Sequence, residues 1–295
     1  MTAREQPKHI AMLVNPTSGR GKGARIAPRV AARLRAAGIE VVELITTSAE
    51  DVPPRTREAI KTLADAVVVV SGDGTIHQVV QEMAGENMPL GVVPAGTGND
   101  FARALGVPLD DPEAAADKIA AGTTRAIDLL KATDRFITTI VASGFDSLVN
   151  KRANAMRWPK GHSRYTVATF AELRTFKPLG YTVTLDGEVV ETDAMLVAVG
   201  TVPSYGGGLR ICEGAVIDDG LLDVTIIRPV SRMTLLALFP KLSKGTHVPH
   251  PQIEQLRGRT VRLESPGITA YADGEPLRPL PVDIKIAPAA LTVLA

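Results

Sequence analysis

The strongest constraint on the fold is an alternation of short apolar runs with helix-like segments between His9 and Asp128. Runs such as IAMLV and VVVV are continuously apolar, which is typical of strands buried on both faces of a sheet. The segments between them place apolar residues at helical spacing, for example Ile26, Val30 and Leu34. This pattern predicts an α/β domain with a parallel sheet covered by helices.

The pattern changes near Lys131, where β-like runs such as FITTIVAS, YTVTLDGEVVE and LLDVTII become frequent. Asp186-Gly187 between two such runs is a strong hairpin signal. Helical insertions are predicted at about 162–176 and 231–242. The chain therefore divides into an α/β domain over 1–130 and a mostly antiparallel β domain over 131–295.

Composition excludes several classes of protein. A net charge of +1 creates no general attraction for nucleic acid or membranes, so such partners would need a local basic patch. The single cysteine, Cys212, rules out an internal disulfide. The N-terminus has no apolar signal core, and no apolar run reaches the length of about 18 residues that a membrane span needs. We expect a cytoplasmic protein.

Three glycine-bearing loops follow the predicted strands: NPTSG after IAMLV, GDGT after VVVVS, and PAGTGND after LGVV. Ligands of parallel α/β domains bind at these strand ends. Any one loop could be only a turn, but three together favour a phosphate-rich ligand. The absence of GxxxxGK[ST] argues against a P-loop enzyme. Asp73 and Asp100 would repel a triphosphate unless Mg²⁺ lay between them, which points to phosphoryl transfer.

The order of these motifs, followed by GFDSLV, YGGGLRICEGAVIDDGLLDV and YADGE, resembles the bacterial diacylglycerol kinase family of lipid kinases. NAD kinases and phosphofructokinases are more distant relatives, so the resemblance implies their kind of nucleotide-binding domain. GDGT alone would indicate only the superfamily. PAGTGNDFAR together with the GGG, DDGLLD and DGE elements is specific for the lipid kinases.

The resemblance also implies roles for individual residues. Asp73 would organise the catalytic Mg²⁺, with Asp100 in its network. Glu275 matches the family's proposed general base, which would accept the proton of the attacking alcohol; an exposed glutamate after a hairpin turn is the alternative. A structural Mg²⁺ is implied at the carbonyls of Val216 and Leu221 and the carboxylate of Asp219. The residues implied to surround ATP are Asn15, Thr46, Ser71, Gly72, Asp73, Gly74, Thr75, Ile76, His77 and Thr97.

Two positions depart from the family pattern. Ser71 stands where the family usually has glycine, and phosphate binding is expected to survive this small side chain. His77 replaces the common Asn or Glu and is expected to shape the nucleotide pocket rather than bind metal, since no other histidine has a ligand spacing.

A lipid kinase must take its substrate from a bilayer. The basic segment, residues 150–164, has five basic residues, no acidic ones and the only tryptophan, Trp158. Basic residues near anionic lipid contribute about 1 kcal/mol each, and tryptophan prefers the membrane interface. The segment could instead be ordinary surface with Trp158 buried in the core. Nucleic-acid binding is not expected, because aromatics for base stacking are missing.

The resulting prediction is an ATP- and Mg²⁺-dependent kinase that phosphorylates diacylglycerol to phosphatidic acid and associates peripherally with the inner face of the membrane. Other acceptors, namely a sphingoid base, ceramide, monoacylglycerol or a glycolipid, stay open, as does a homodimer. An NAD kinase fits the C-terminal motifs less well. A non-catalytic nucleotide-binding regulator is the alternative from another class, but such a protein would need no base at Glu275.

Overall fold

The computed structural model describes residues 2–3, 6–62, 64–156, 158, 167–169, 171–172 and 176–295. The chain forms two compact units. The first consists of Met1–Leu129 and Ala287–Ala295, and the second of Leu130–Ile286. The predicted fold class is confirmed, since the first unit is built on a parallel sheet and the second on antiparallel sheets.

The first unit has a parallel sheet in the order β3-β2-β4-β5. Each residue of Val67–Val70 is fully buried because helices cover both faces of the sheet. β3 is the edge strand, and its Val42 is half exposed. The strands are β1 (Thr2–Ala3), β2 (His9–Val14), β3 (Glu40–Ile45), β4 (Ala66–Ser71), β5 (Leu90–Pro94) and β6 (Thr123–Ala132).

Helices make the crossovers between the parallel strands. The predicted inward residues Ile26, Val30 and Leu34 are buried, and Ile76 and Met83 are fully buried. The first helix begins with residues 19–21 in left-handed conformations and becomes regular after them. The helices are α1 (Ser18–Ala36), α2 (Val52–Lys61), α3 (Asp73–Met83), α4 (Asp100–Ala104) and α5 (Pro112–Ala120).

The last strand returns the chain to the first unit. In β17 (Val282–Leu294), Val293 and Leu294 pair in parallel with Leu90 and Gly91 of β5. In the structure Ala287–Ala295 belongs to the first unit, whereas the predicted second domain extends to residue 295. The physical reason is that one long strand pairs with different partners along its length, which an apolar run does not reveal.

The second unit contains two antiparallel sheets that share one core. One has the order β13-β12-β11-β8-β15-β16, and the other includes β10-β9-β14-β17. Asp186 and Gly187 both have positive φ, which confirms the predicted hairpin between β9 and β10. The core joins residues of both sheets, among them Val183, Leu263 and Val197.

The elements of the second unit are as follows. Its strands are β7 (Arg135–Ile137), β8 (Ile140–Gly144), β9 (Leu179–Leu185), β10 (Glu188–Ala194), β11 (Leu196–Gly200), β12 (Leu222–Ile227), β13 (Ile253–Gly258), β14 (Thr260–Glu264), β15 (Thr269–Ala272) and β16 (Glu275–Pro279). Its helices are α6 (Phe145–Ala155) and α7 (Arg232–Lys244), and α7 confirms the helix predicted at 231–242. Most of the helix predicted at 162–176 lies outside the described residues.

Candidate active site

The three glycine-bearing loops begin side by side at the carboxyl ends of neighbouring strands. Val14 is paired with Val70, and Ser71 with Pro94, so the chains leave β2, β4 and β5 at the same edge of the sheet. The first unit therefore brings together the loops that the sequence singled out, which is where ligands of parallel sheets bind.

Glycines allow these loops to pack backbone against backbone. A Cβ on Gly72 would lie 2.9 Å from the Cα of Gly96, and a Cβ on Gly96 would lie 2.6 Å from the Cα of Gly72. Gly19, at φ +57°, has the carbonyl oxygen of Ala95 2.0 Å from the position of its Cβ. A Cβ on Gly74, in contrast, would meet no atom of other parts of the chain within 4 Å. Gly72 is thus required by the neighbouring loop, and Gly74 leaves open space beside the backbone.

Replacing Gly96 with alanine is expected to displace the loop after β5. Because the new Cβ would meet backbone atoms of Gly72, the loops must move apart, at a cost of about 1–3 kcal/mol. We expect a lower melting temperature and at least tenfold weaker ATP binding, measured by thermal unfolding and calorimetric titration. Gly74→Ala is the matched control for stability, because its Cβ meets no atom and alanine favours a helix by about 1 kcal/mol. Equal melting temperatures of the two variants would contradict the packing argument.

Hydrogen bonds tie the first two loops together. Asn15 Nδ2 donates to Thr75 Oγ1 at 2.9 Å, while Asn15 Oδ1 accepts from the amide and the hydroxyl of Thr17. The amide and hydroxyl of Thr46, after β3, both donate to the carbonyl of Val14, at 2.9 and 3.1 Å. The predicted polar residues Asn15, Thr46 and Thr75 are therefore held in position by the loops.

Asp73 and Asp100 are the two acidic residues of these loops. Burial, and then the negative charge of Asp100, raise the pKa of the Asp73 carboxyl to about 6. The backbone amide of Phe101 donates to Asp73 Oδ1 at 3.3 Å and opposes this rise. Asp100 is 4% exposed and lies 3.8 Å from the guanidinium of Arg103. Two neighbouring carboxyl groups, one with a raised pKa, leave negative charge that a bound cation would compensate.

The residues present fit a magnesium ion that is bound together with a nucleotide. Among the described residues, no group of three or more His, Cys, Asp or Glu side chains is placed to hold a metal. Mg²⁺ is commonly held by one or two carboxylates, with substrate phosphates and waters completing its shell. Asp73 and Asp100 would supply this protein share of the ligands.

Four of the predicted nucleotide-binding residues differ in exposure. Thr97 is exposed on the loop, whereas Ile76 is fully buried and its amide donates to the carbonyl of Gly72. Ser71 is fully buried, and its hydroxyl has no hydrogen-bond partner among the described residues. His77 is 8% exposed. The side chains of Ser71 and Ile76 are therefore buried in the protein interior.

Two residues with structural roles in this unit were missed by the sequence analysis. Asn99 has φ 55°, and its side chain closes the loop by accepting from the amide of Gly96 and donating to its carbonyl. Asparagine tolerates this conformation, and its position directly before a helix was the available signal. Asp128, a buried acid in the apolar run AIDLL, accepts from the amide of Ala289 at 2.8 Å and so holds the returning C-terminal segment.

Glu275 is exposed at the start of β16, directly after a tight turn of the second unit. Asp273 and Gly274 both have positive φ, as in the hairpin alternative that the sequence left open. The Asp273 carboxylate accepts four hydrogen bonds, from the amides and hydroxyls of Thr138 and Thr139, at 2.6–3.0 Å. Asp273 was missed from sequence because these partners are distant along the chain. The turn that carries Glu275 is firmly anchored.

Of the residues predicted to hold a structural Mg²⁺, Asp219 is already paired within the protein. Asp219 Oδ1 accepts from the amide of Leu221 at 3.1 Å, and Asp219 Oδ2 is ion-paired with Arg257 Nη2. Val216 is 44% exposed. Both carboxylate oxygens of Asp219 are thus engaged, one of them by a cation that would repel a metal.

Trp158 is 83% exposed, so the alternative that placed it in the core is wrong. In the same basic segment Lys151 is exposed, and Arg152 forms an ion pair with Glu172. The other basic residues of the segment, Arg157, Lys160 and Arg164, lie outside the described residues. Among the described helices, none combines the length and the apolar character that crossing a bilayer requires.

Comparisons with known proteins assign the class. Residues 9–132 match the family model described as the diacylglycerol kinase catalytic domain, and residues 139–295 match the YegS C-terminal NAD kinase beta sandwich-like domain. This catalytic domain, followed by this sandwich-like domain, defines a lipid kinase.

Individual relatives narrow the assignment. A diacylglycerol kinase of Mycobacterium tuberculosis is 44% identical over 304 aligned residues, covering 100% of this chain and 98% of the relative. That of Bacillus subtilis is 29% identical, with 91% and 90% covered. The crystal structure of a diacylglycerol kinase from Bacillus anthracis has the same fold, with TM-score 0.78, 22% identity, and 99% and 98% coverage. The chain belongs to the bacterial diacylglycerol kinase family.

Proposed function

We propose that this lipid kinase transfers the γ-phosphate of ATP to the free hydroxyl of diacylglycerol, giving phosphatidic acid. The observation that carries the proposal is the pair of carboxyl groups of Asp73, which is partly buried, and Asp100, which is buried, where three glycine-bearing loops meet. A binding protein has no need of two carboxyl groups beside phosphates, whereas a magnesium-dependent phosphotransferase does. The names of the relatives support diacylglycerol as the acceptor.

In the proposed mechanism the loops bind and orient the nucleotide. Asn15 and Thr75, linked at 2.9 Å, would keep the loop after β2 against the start of α3, and Thr46 and Thr97 would border the nucleotide. Asp73 would be the main protein ligand of the metal. Mg²⁺, when bound, would neutralise charge on the β- and γ-phosphates, which supplies most of the catalysis in phosphoryl transfer. Glu275 would accept the proton of the acceptor hydroxyl.

The test is transfer of labelled γ-phosphate from ATP to acceptors in mixed micelles. Diacylglycerol, sphingosine, ceramide, monoacylglycerol and NAD are offered separately, with and without EDTA. We expect labelled phosphatidic acid from diacylglycerol, and none in EDTA. Labelling of another acceptor in preference would correct the substrate, and ATP binding without any labelled product would support the regulator instead.

We further propose that the basic segment makes a peripheral contact with anionic membrane on the cytoplasmic side. Full exposure of a tryptophan to water is unfavourable, and Trp158, at 83% exposure, would be stabilised at a membrane interface. Of the two basic residues of the segment that the structure describes, Lys151 is exposed and would contact anionic headgroups. Arg152 is ion-paired with Glu172. The homodimer stays a prediction.

Trp158→Ala is expected to weaken binding to phosphatidylglycerol-containing vesicles by about 10- to 100-fold, the effect of losing one large apolar contact. Lys151→Glu should weaken it by about tenfold or more and make it less sensitive to salt. Vesicle sedimentation measures both. Val189→Ala, at a 60% exposed residue of β10, is the matched control and should bind normally. Unchanged binding of the two segment variants would remove the segment from membrane contact.

A further inference from the structure

The acidic turn before β12 is closed by an arginine from the neighbouring strand. Arg257 of β13 lies directly opposite Asp223 of β12 in the antiparallel register. Its Nε donates to Asp223 Oδ1 at 3.0 Å, and its Nη2 is ion-paired with Asp219 Oδ2. One guanidinium thus joins the first and last acids of the DGLLD sequence.

The two carboxylates differ in how many of their oxygens have a hydrogen-bond partner. Asp219 uses Oδ1 to accept the amide of Leu221 at 3.1 Å and Oδ2 to bind Arg257, so both its oxygens are occupied. Asp223 is only 6% exposed, and its Oδ2 is buried with no hydrogen-bond partner among the described residues. Burial, partly offset by Arg257, raises the pKa of the Asp223 carboxyl. This pair of acids needs a positive charge next to it.

A guanidinium and a divalent metal compete for this pair of carboxylates. Arginine supplies one delocalised charge and several directional N–H donors, which suit carboxylates on adjacent strands. Mg²⁺ needs about six oxygen ligands at close to 2.1 Å and would be repelled by the guanidinium on the same carboxylate.

We propose that Arg257 is a built-in replacement for a structural cation in the second unit. The side chain holds the turn at residues 219–223 against β13, so this unit needs no divalent metal to fold. The metal requirement of the protein is then confined to the nucleotide site of the first unit. The proposal concerns the stability of the second unit and holds whichever lipid the enzyme phosphorylates.

The experiment measures thermal unfolding of the full chain, without nucleotide, in EDTA and in about 5 mM Mg²⁺. A parent carrying Asp73→Asn removes the contribution of the other acidic site. The melting temperature of this parent is expected to be the same in both buffers, because ligand binding would raise it by mass action. Adding Arg257→Gln should lower the melting temperature by several degrees in EDTA, and Mg²⁺ should restore at least half of the loss.

Arg228→Gln in the same parent is the matched control. Arg228 donates to Glu254 of β13 at 2.6 Å and to Thr192 at 2.7 Å. It therefore binds only one carboxylate, whereas Arg257 binds two. Its loss should lower the melting temperature without rescue by Mg²⁺. Combining Arg257→Gln with Asp219→Asn should abolish the rescue, because a metal ligand is lost.

Metal binding gives a second measurement, with Mn²⁺ as a paramagnetic probe of Mg²⁺ sites. The Arg257→Gln variant is expected to bind one Mn²⁺ more than its parent. A parent that itself gains stability with Mg²⁺, or binds a Mn²⁺ that Asp219→Asn removes, would overturn the proposal. So would an Arg257→Gln variant that Mg²⁺ does not stabilise. If that variant does not fold, the Mn²⁺ counts of the parent with and without Asp219→Asn decide the question.

Discussion

Replacing Asp73 with asparagine is expected to slow phosphate transfer strongly and at the same time to make the protein more stable. The carboxyl group is partly buried beside Asp100, and its pKa is raised to about 6. A shift of this size means that ionised Asp73 destabilises the native state by about 3 kcal/mol at neutral pH. Asparagine keeps the shape of the side chain and removes its charge, so most of this destabilisation should disappear. The lost metal ligand should lower kcat by at least about 10²- to 10³-fold.

The pH dependence follows from the direction of the shift. An acid whose pKa is raised on folding holds its proton more tightly in the native state, so it favours folding at low pH. This contribution is complete below about pH 4 and is lost as the pH rises through about 6. The melting temperature of Asp73→Asn should therefore exceed that of the wild type more at pH 7.5 than at pH 5.

Mg²⁺ with ATP should reverse this order. If the metal compensates Asp73, the wild type gains more from Mg²⁺ and ATP than the variant does, and thermal shifts with and without the ligand measure the difference. Asp110→Asn, at an exposed acid of the same unit, is the control and should change neither stability nor thermal shift. An Asp73→Asn protein less stable than the wild type at pH 7.5 would show that the charge is already compensated within the protein.

Replacing Glu275 with glutamine is expected to leave the fold intact and to lower kcat by about 10²- to 10⁴-fold, the usual contribution of a general base. Glu275 is exposed, so loss of its charge should change stability by less than about 0.5 kcal/mol. Glutamine has the same shape but cannot accept a proton. The KM for ATP should be unchanged, since the residues proposed to bind the nucleotide belong to the other unit. Steady-state kinetics and a melting curve measure both effects.

Asp273→Asn separates positioning from chemistry. Its carboxylate accepts hydrogen bonds from two amides and two hydroxyls, and an asparagine side chain cannot accept all four. A buried donor without a partner costs about 1–3 kcal/mol, so this variant should lose stability as well as activity. Near-normal turnover of Glu275→Gln would exclude a base at this position and leave Asp273 as a purely structural anchor.

The sequence predicted the parts of the fold that depend on local pattern. The spacing of apolar residues predicted the parallel strands and the inward face of α1. The turn residues predicted the Asp186-Gly187 hairpin. The exposed Trp158 shows the limit of such patterns, because composition alone did not tell a surface tryptophan from a core one.

The sequence by itself therefore determined the class of each unit, the order of the loops and, through its motifs, the family. Only the tertiary structure decided that Gly72 and Gly96 lie too close together for either to carry a Cβ. It also decided that Asp273 binds Thr138 and Thr139 and that Arg257 is ion-paired with Asp219. The physical reason is that strands and turns are fixed by neighbouring residues, whereas these contacts join residues far apart in the chain. They exist only once the sheets have brought distant strand ends together.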